Sequence, residues 1–198
     1  MIPIFDSGHG GLIKGVYQTP GKRSADLGQG VLYEGAFNRW MKHKLMEMCD
    51  RIRIPYLDAS PGHEDISLRK RVNAANRWYA EDKSLYFVSI HANAGGGTGS
   101  EIFTSPGQTT SDIIAEMFFE SISGTFPGRK MRADRTDGDS DKEAGYAVLT
   151  ATHCPAVLIE IGFMDTRKDY DELWSAAWRE RMCEALFETI LYLSSTKI

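Results

Sequence analysis

The chain has 198 residues, 42% of them hydrophobic, which is enough to bury the core of one domain. Its 23 Lys and Arg against 27 Asp and Glu leave a net charge of -4 with no basic stripe or block of like charge, which argues against a nucleic-acid partner and an acidic disordered tail. No apolar stretch is long enough to span a bilayer, so membrane insertion is not expected.

No charged n-region followed by an apolar h-region opens the chain. The expectation is synthesis in the cytoplasm, with export by a signal-independent route or with a leader already removed. Cys49, Cys154 and Cys183 are widely spaced and form no CxxC pair, so they read as buried thiols.

In chain order, the apolar run Ile2-Pro3-Ile4-Phe5 leads into Asp6-Ser7-Gly8-His9-Gly10-Gly11, a strand and a glycine-rich turn. Residues 12–33 carry five further glycines and prolines and read as a long loop, a length more often functional than not. Phe37, Trp40, Met41, Leu45 and Met48 at helical spacing predict a helix over 35–50, followed by a strand over 51–57. A second helix over 66–81 turns Ile66, Leu68, Val72, Ala75 and Tyr79 inward and Arg69, Lys70 and Arg71 outward.

Leu85-Tyr86-Phe87-Val88-Ser89-Ile90 predicts a strand that ends at His91. Three glycines at 95–97 connect it to a shorter strand over 101–104, and a helix over 110–123 follows. Residues 124–145 read as a second surface loop, with a short segment over 146–149 after it. Val157-Leu158-Ile159-Glu160-Ile161-Gly162-Phe163 is another strand, and one amphipathic helix over 168–193 closes the chain. Continuous apolar runs bounded by glycine are strands buried on both faces, and their alternation with helices predicts a single three-layer α/β/α domain over 1–198 with a twisted, mostly parallel sheet.

Chemistry gathers beyond the carboxyl ends of such strands, and three reactive side chains sit there. Glycines around His9 supply no packing walls but allow a sharp bend and close approach to a ligand. Alone, His9 or His91 could be a hydrogen-bonded structural histidine. Two imidazoles plus one carboxylate, however, make the three protein ligands of an open catalytic zinc site. Glu34 and Glu101 are both candidates for that carboxylate, and Asp6 could orient an imidazole from behind. Glu160, between Ile159 and Ile161, is costly to bury uncompensated. It is either half of a buried ion pair with an arginine or a base beside the metal.

Six motifs occur in order: Asp6-Ser7-Gly8-His9-Gly10-Gly11; Glu34 with Asn38; Leu68-x-x-Arg71-x-x-x-Ala75-Asn76; Ser89-Ile90-His91-Ala92-Asn93-Ala94; Gly99-Ser100-Glu101; and Pro155 to Phe163. Together they resemble the zinc-dependent N-acetylmuramoyl-L-alanine amidases of type 3, over residues 2 to about 193. The resemblance implies one zinc per chain held by His9, Glu34 and His91, with Glu160 as the catalytic glutamate and Glu101 a wall residue. It implies cleavage of the amide between N-acetylmuramic acid and L-alanine, with peptidoglycan glycan strand and stem peptide as partners; a monomer is expected.

Ser7 where proline is usual, Asp165-Thr166 after the Gly-Phe, and Leu57-Asp58-Ala59 in place of a Thr-Arg pair depart from the family pattern and bear on substrate details. A lysis enzyme of the endolysin kind is the expected setting, with the 12–33 and 124–145 loops as groove walls and His153 a possible substrate contact. A zinc carboxypeptidase or other peptide amidase, and a non-catalytic peptidoglycan-binding module, are the rival readings.

Overall fold

The computed structural model describes residues 1–136 and 138–196. The elements are β1 (Ile2–Ser7), β2 (Leu12–Ile13), β3 (Val16–Tyr17), β4 (Arg23–Asp26), β5 (Val31–Tyr33), α1 (Glu34–Ile52), β6 (Leu57–Asp58) and α2 (Leu68–Glu81). They continue with β7 (Leu85–Asn93), β8 (Glu101–Thr104), α3 (Thr110–Thr125), β9 (Lys142–Glu143), α4 (Ala147–Thr150), β10 (Ala156–Phe163), α5 (Arg167–Trp174) and α6 (Ala176–Ser195). One six-stranded sheet runs in the order β6-β1-β7-β10-β8-β9. Strands β6, β1, β7 and β10 are mutually parallel, and β8 reverses against β10.

Each central strand feeds two cores, because successive side chains project to opposite faces. Phe5, Tyr86, Val88, Ile90, Ala92, Val157, Ile159 and Ile161 enter the larger core with α1, α3 and α6. Ile4, Leu85, Phe87, Ala156 and Leu158 enter a smaller core with α2 and α4. This is the expected three-layer α/β/α arrangement.

On the smaller face the same alternation turns polar toward the carboxyl ends of the parallel strands. Ile4 is followed two residues on by Asp6, Phe87 by Ser89 and then His91, and Leu158 by Glu160. The period of two thus delivers polar side chains to one face at one end of the sheet.

Several boundaries differ from the sequence expectation. Helix α1 continues to Ile52 and ends on Arg53 in the left-handed region, so the strand expected over 51–57 shrinks to β6. Residues 12–33 form two small antiparallel hairpins, β2–β3 and β4–β5, rather than a structureless loop. The last helix is two, because Ser175 leaves helical geometry and its side chain caps α6 at Trp178 N. Residues 124–145 are not all surface: Ser140 and Asp141 are buried, and β9 pairs with β8. The three cysteines are free and buried, as expected.

Candidate metal centre

The turn after β1 places His9. The expectation was that its glycines provide the bend, yet none of Gly8, Gly10 and Gly11 has a positive φ; His9 itself does, at 64°. A non-glycine residue holds that conformation only where its surroundings impose it. Arg39 supplies the constraint: Nη1 donates to the His9 carbonyl at 2.5 Å, while Nε and Nη2 donate to the Gly62 and Glu64 carbonyls at 2.8 and 2.9 Å. The glycines serve close approach instead. A Cβ on Gly8 would enter the His91 ring, and a Cβ on Gly35 would run into the Gly10 carbonyl.

Helix α1 begins at Glu34, and its carboxylate meets both imidazoles. Glu34 Oε1 lies 3.3 Å from His9 Nε2 and 3.2 Å from His91 Nδ1. The two rings stand edge to face with centroids 5.3 Å apart. One turn along α1, Asn38 Nδ2 donates to the Gly8 carbonyl at 3.1 Å. Burial acts to raise the Glu34 pKa, but the imidazoles hydrogen-bonded to it overcome that and hold it at about 2. Burial opposes protonation of His91, yet the Glu34 and Glu160 carboxylates raise its pKa on balance.

One donor atom from each of His9, Glu34 and His91 falls within 4.8 Å of the others. Two imidazole nitrogens and one carboxylate oxygen, mostly buried and converging, are the donor set that fits zinc with a further coordination position open. Glu101, the other candidate carboxylate, is directed away. It accepts from Asn93 Nδ2 at 2.5 Å, Lys142 Nζ at 2.6 Å and Arg132 Nε at 3.0 Å.

Glu160 stands between these groups in the sheet: its register partners are His91 on β7 and Glu101 on β8. Beyond it the β7–β10 register shifts, a bulge of the kind found beside active sites. Among the described residues no arginine pairs with Glu160, and its Oε2 is buried without a hydrogen-bond partner. Burial, with the Glu34 and Glu101 carboxylates adding to it against His91, pushes the Glu160 pKa up to about 7.

Behind His91 lies a buried polar chain that the sequence reading missed. Arg71 was expected on the outer face of α2. It is instead buried, and Nη1 donates to Asp6 Oδ1 at 2.6 Å and to the Ser7 carbonyl at 2.5 Å. Asp6 Oδ2 accepts from Ser89 Oγ at 2.7 Å, and Ser89 Oγ lies 3.1 Å from His91 Nε2. Asp6 therefore reaches His91 through Ser89, not the neighbouring His9. The available signal was strand alternation, which puts Ser89 and His91 on one face.

These groups open into a cleft of about 770 Å³, walled by Lys22 and Arg23, by Ser67 and Leu68 at the start of α2, and by Tyr146 and Val148. Leu68, expected inward, is half exposed on that wall. The first expected wall is present, but no described residue of 124–145 lines the cleft; α4 and its flank take that place. His153 is exposed, bonded through its backbone N–H to Asn76, and does not line it. Trp40, Trp78, Trp174 and Trp178 pack against the two cores, as expected of helix residues.

A family model described as N-acetylmuramoyl-L-alanine amidase matches residues 4–192. The N-acetylmuramoyl-L-alanine amidase CwlM of Bacillus licheniformis is 38% identical over 120 residues, 58% of this chain and 41% of that protein. A sporulation-specific N-acetylmuramoyl-L-alanine amidase of Bacillus subtilis is 36% identical over 115 residues, 57% of this chain and 40% of that protein. The chain thus spans less than half the length of these relatives. In fold, it superposes on a crystal structure of an N-acetylmuramoyl-L-alanine amidase from Clostridium difficile 630 with a TM-score of 0.79 at 23% identity, covering 100% of this chain and 98% of the other.

Proposed function

The chain belongs to the N-acetylmuramoyl-L-alanine amidase family, and from that premise we propose that it hydrolyses the amide between N-acetylmuramic acid and the L-alanine of the peptidoglycan stem peptide. His9, Glu34 and His91 would hold one zinc ion. When bound, zinc supplies Lewis acidity that polarises a carbonyl and makes water a better nucleophile near neutral pH.

The observation that carries the reading is Glu160, a half-buried side chain on the cleft whose Oε2 is shut off from water without a hydrogen-bond partner, in register with His91 and with its pKa pushed up to about 7. A group poised near the operating pH both accepts and returns a proton efficiently. Glu160 takes the proton of the attacking water and gives it to the alanine nitrogen as the bond to the muramic acid lactyl carbonyl breaks. His9, fixed by Arg39, and His91, wedged against Gly8, keep the donor set rigid. The apolar wall of Leu68, Tyr146 and Val148 and the basic Lys22 and Arg23 would flank the glycan strand and stem peptide.

A non-catalytic binding module gives no account of an acid kept half-neutral inside the sheet. All of these side chains gather at one end of one sheet, which supports reading 1–198 as one amidase domain. Among the described residues no helix is long and apolar enough to cross a membrane, and action at the bacterial cell wall follows from the substrate.

Digestion of purified peptidoglycan tests this reading. New alanine amino termini without new reducing sugars are expected. Cleavage confined to bonds within the stem peptide would identify a peptidase instead.

A further inference from the structure

We infer that Asp6 and Ser89 are positioning residues that fix the tautomer of His91, so that its Nδ1 is the nitrogen offered to a metal; the inference rests on the metal-site reading above. Both carboxylate oxygens of Asp6 are engaged, Oδ1 by Arg71 Nη1 at 2.6 Å and Oδ2 by Ser89 Oγ at 2.7 Å. A carboxylate only accepts, so the single hydroxyl proton of Ser89 is committed to Asp6. The Ser89 oxygen is then an acceptor toward its other neighbour, His91 Nε2, at 3.1 Å.

Nε2 must therefore carry a proton, and the proton a metal replaces is the one that Nδ1 shares with Glu34, which leaves Nδ1 as the nitrogen with a lone pair to offer. Nδ1 is the nitrogen that faces Glu34 Oε1, at 3.2 Å, inside the donor cluster.

The chain is well insulated. Asp6, Arg71 and Ser89 are 1%, 2% and 0% exposed, so water does not compete for these hydrogen bonds. Arg71 also donates to the Ser7 carbonyl at 2.5 Å, which ties its guanidinium to the strand carrying Asp6. His91 cannot escape by swinging toward Gly8, because its ring already fills the space a Cβ would take there. A partner behind a ligating histidine that fixes its orientation is worth about 10–100-fold in metal affinity.

Two variants test the relay, with zinc affinity read by competition against a chromophoric chelator and the presence of a proton on His91 Nε2 read by nitrogen NMR of the metal-free protein. Ser89→Ala removes the acceptor and should weaken zinc binding about 10–100-fold with the fold retained. Asp6→Asn should act by inversion. Its amide oxygen stays with Arg71 and its amide N–H₂ faces Ser89, which frees the Ser89 hydroxyl to donate to Nε2. Nε2 of His91 should then lose its proton and leave Nδ1, the ligand position, as the protonated nitrogen, with zinc affinity falling at least as far.

A merely structural role would lower the melting temperature and leave the zinc dissociation constant and tautomer unchanged, which would overturn the inference. Wild-type His91 without a proton on Nε2 would also overturn it. Wild-type protein that takes up no zinc defeats the metal-site reading as well; one zinc bound equally tightly by wild type and both variants defeats the relay alone. Should Asp6→Asn fail to fold because Arg71 loses its counter-charge, Ser89→Ala, which deletes one oxygen, decides by itself.

Discussion

Glu160 and His91 are register partners on neighbouring parallel strands, side by side on the face of the sheet that α2 and α4 cover. That pairing sets the acid next to the candidate metal site without a loop to hold it, and the sheet fixes the separation of the two groups. Glu101 on β8 closes the same row from the other side, and Lys142 and Arg132 neutralise it. One carboxylate of the row is therefore compensated and one is not. The uncompensated one, Glu160, is the candidate for proton transfer.

Substituting Glu160→Gln keeps size and hydrogen-bonding capacity but removes the proton acceptor. Peptidoglycan turnover should fall by at least about 10²-fold, since positioned proton transfer is worth on the order of 10²–10⁴ in rate. Zinc content, measured on the same protein, should stay at wild-type level. Turnover within a few-fold of wild type would remove Glu160 from the mechanism.

The same variant should change how stability depends on pH. In the unfolded chain a glutamate loses its proton near 4.5, whereas Glu160 in the fold keeps it to about 7. Between those values the folded state binds more protons, so its stability falls as pH rises. The contribution is complete below pH 4.5 and gone above about 7, on the order of 3 kcal/mol in all. Asp141, which burial also pushes up to about 7, and His91 add slopes of the same sign. From pH 5 to pH 8 the melting temperature of metal-free Glu160→Gln should therefore fall less, or rise more, than that of metal-free wild type, and it should be the higher of the two at pH 8. A buried ion pair with an arginine predicts the opposite ranking.

Arg71→Ala should destabilise the protein by roughly 3–5 kcal/mol, because it strands the Asp6 carboxylate in the interior. Neighbouring Arg69 and Lys70 are exposed, and alanine there should change stability by no more than about 0.5 kcal/mol. Urea unfolding of the three variants makes the comparison directly. Equal effects would mean that the buried pair carries no special weight.

Gly8→Ala, at a buried position, should be far more damaging to the site than a methyl group added on the surface. The new Cβ would overlap the His91 ring, so the imidazole must rotate away from Glu34. Loss of stoichiometric zinc with a largely retained circular dichroism spectrum is the expected result. Retention of tightly bound zinc would show that the ring has room to shift.

Chelation should abolish activity yet leave most of the fold, because the two apolar cores on either side of the sheet do not depend on the donor cluster. A melting curve with and without chelator checks it. Collapse of the whole transition on metal removal would assign the ion a structural role.

The sequence by itself determined the layers and the reactive residues. Apolar runs at Leu85–Val88 and Val157–Ile159 have no other stable home than a sheet covered on both faces. Histidines among glycines and a glutamate between isoleucines stand out because their burial needs compensation. The tertiary structure decided the rest. Those apolar runs conceal the alternation that sends Tyr86, Val88 and Ile90 to one core and Phe87, Ser89 and His91 to the other face, since all six are equally shut off from water or nearly so. Arg71 read as solvated because a helical run of Arg69, Lys70 and Arg71 carries no mark of the one that faces inward; its partner Asp6 is 65 residues away. Glu34 and Glu101 are both acids near strand ends, and only packing separates them: one meets two imidazoles, the other two cations. Local chemistry names the candidates, but which of them share a face and a partner follows from strand register and helix docking, and those depend on contacts far apart in the chain.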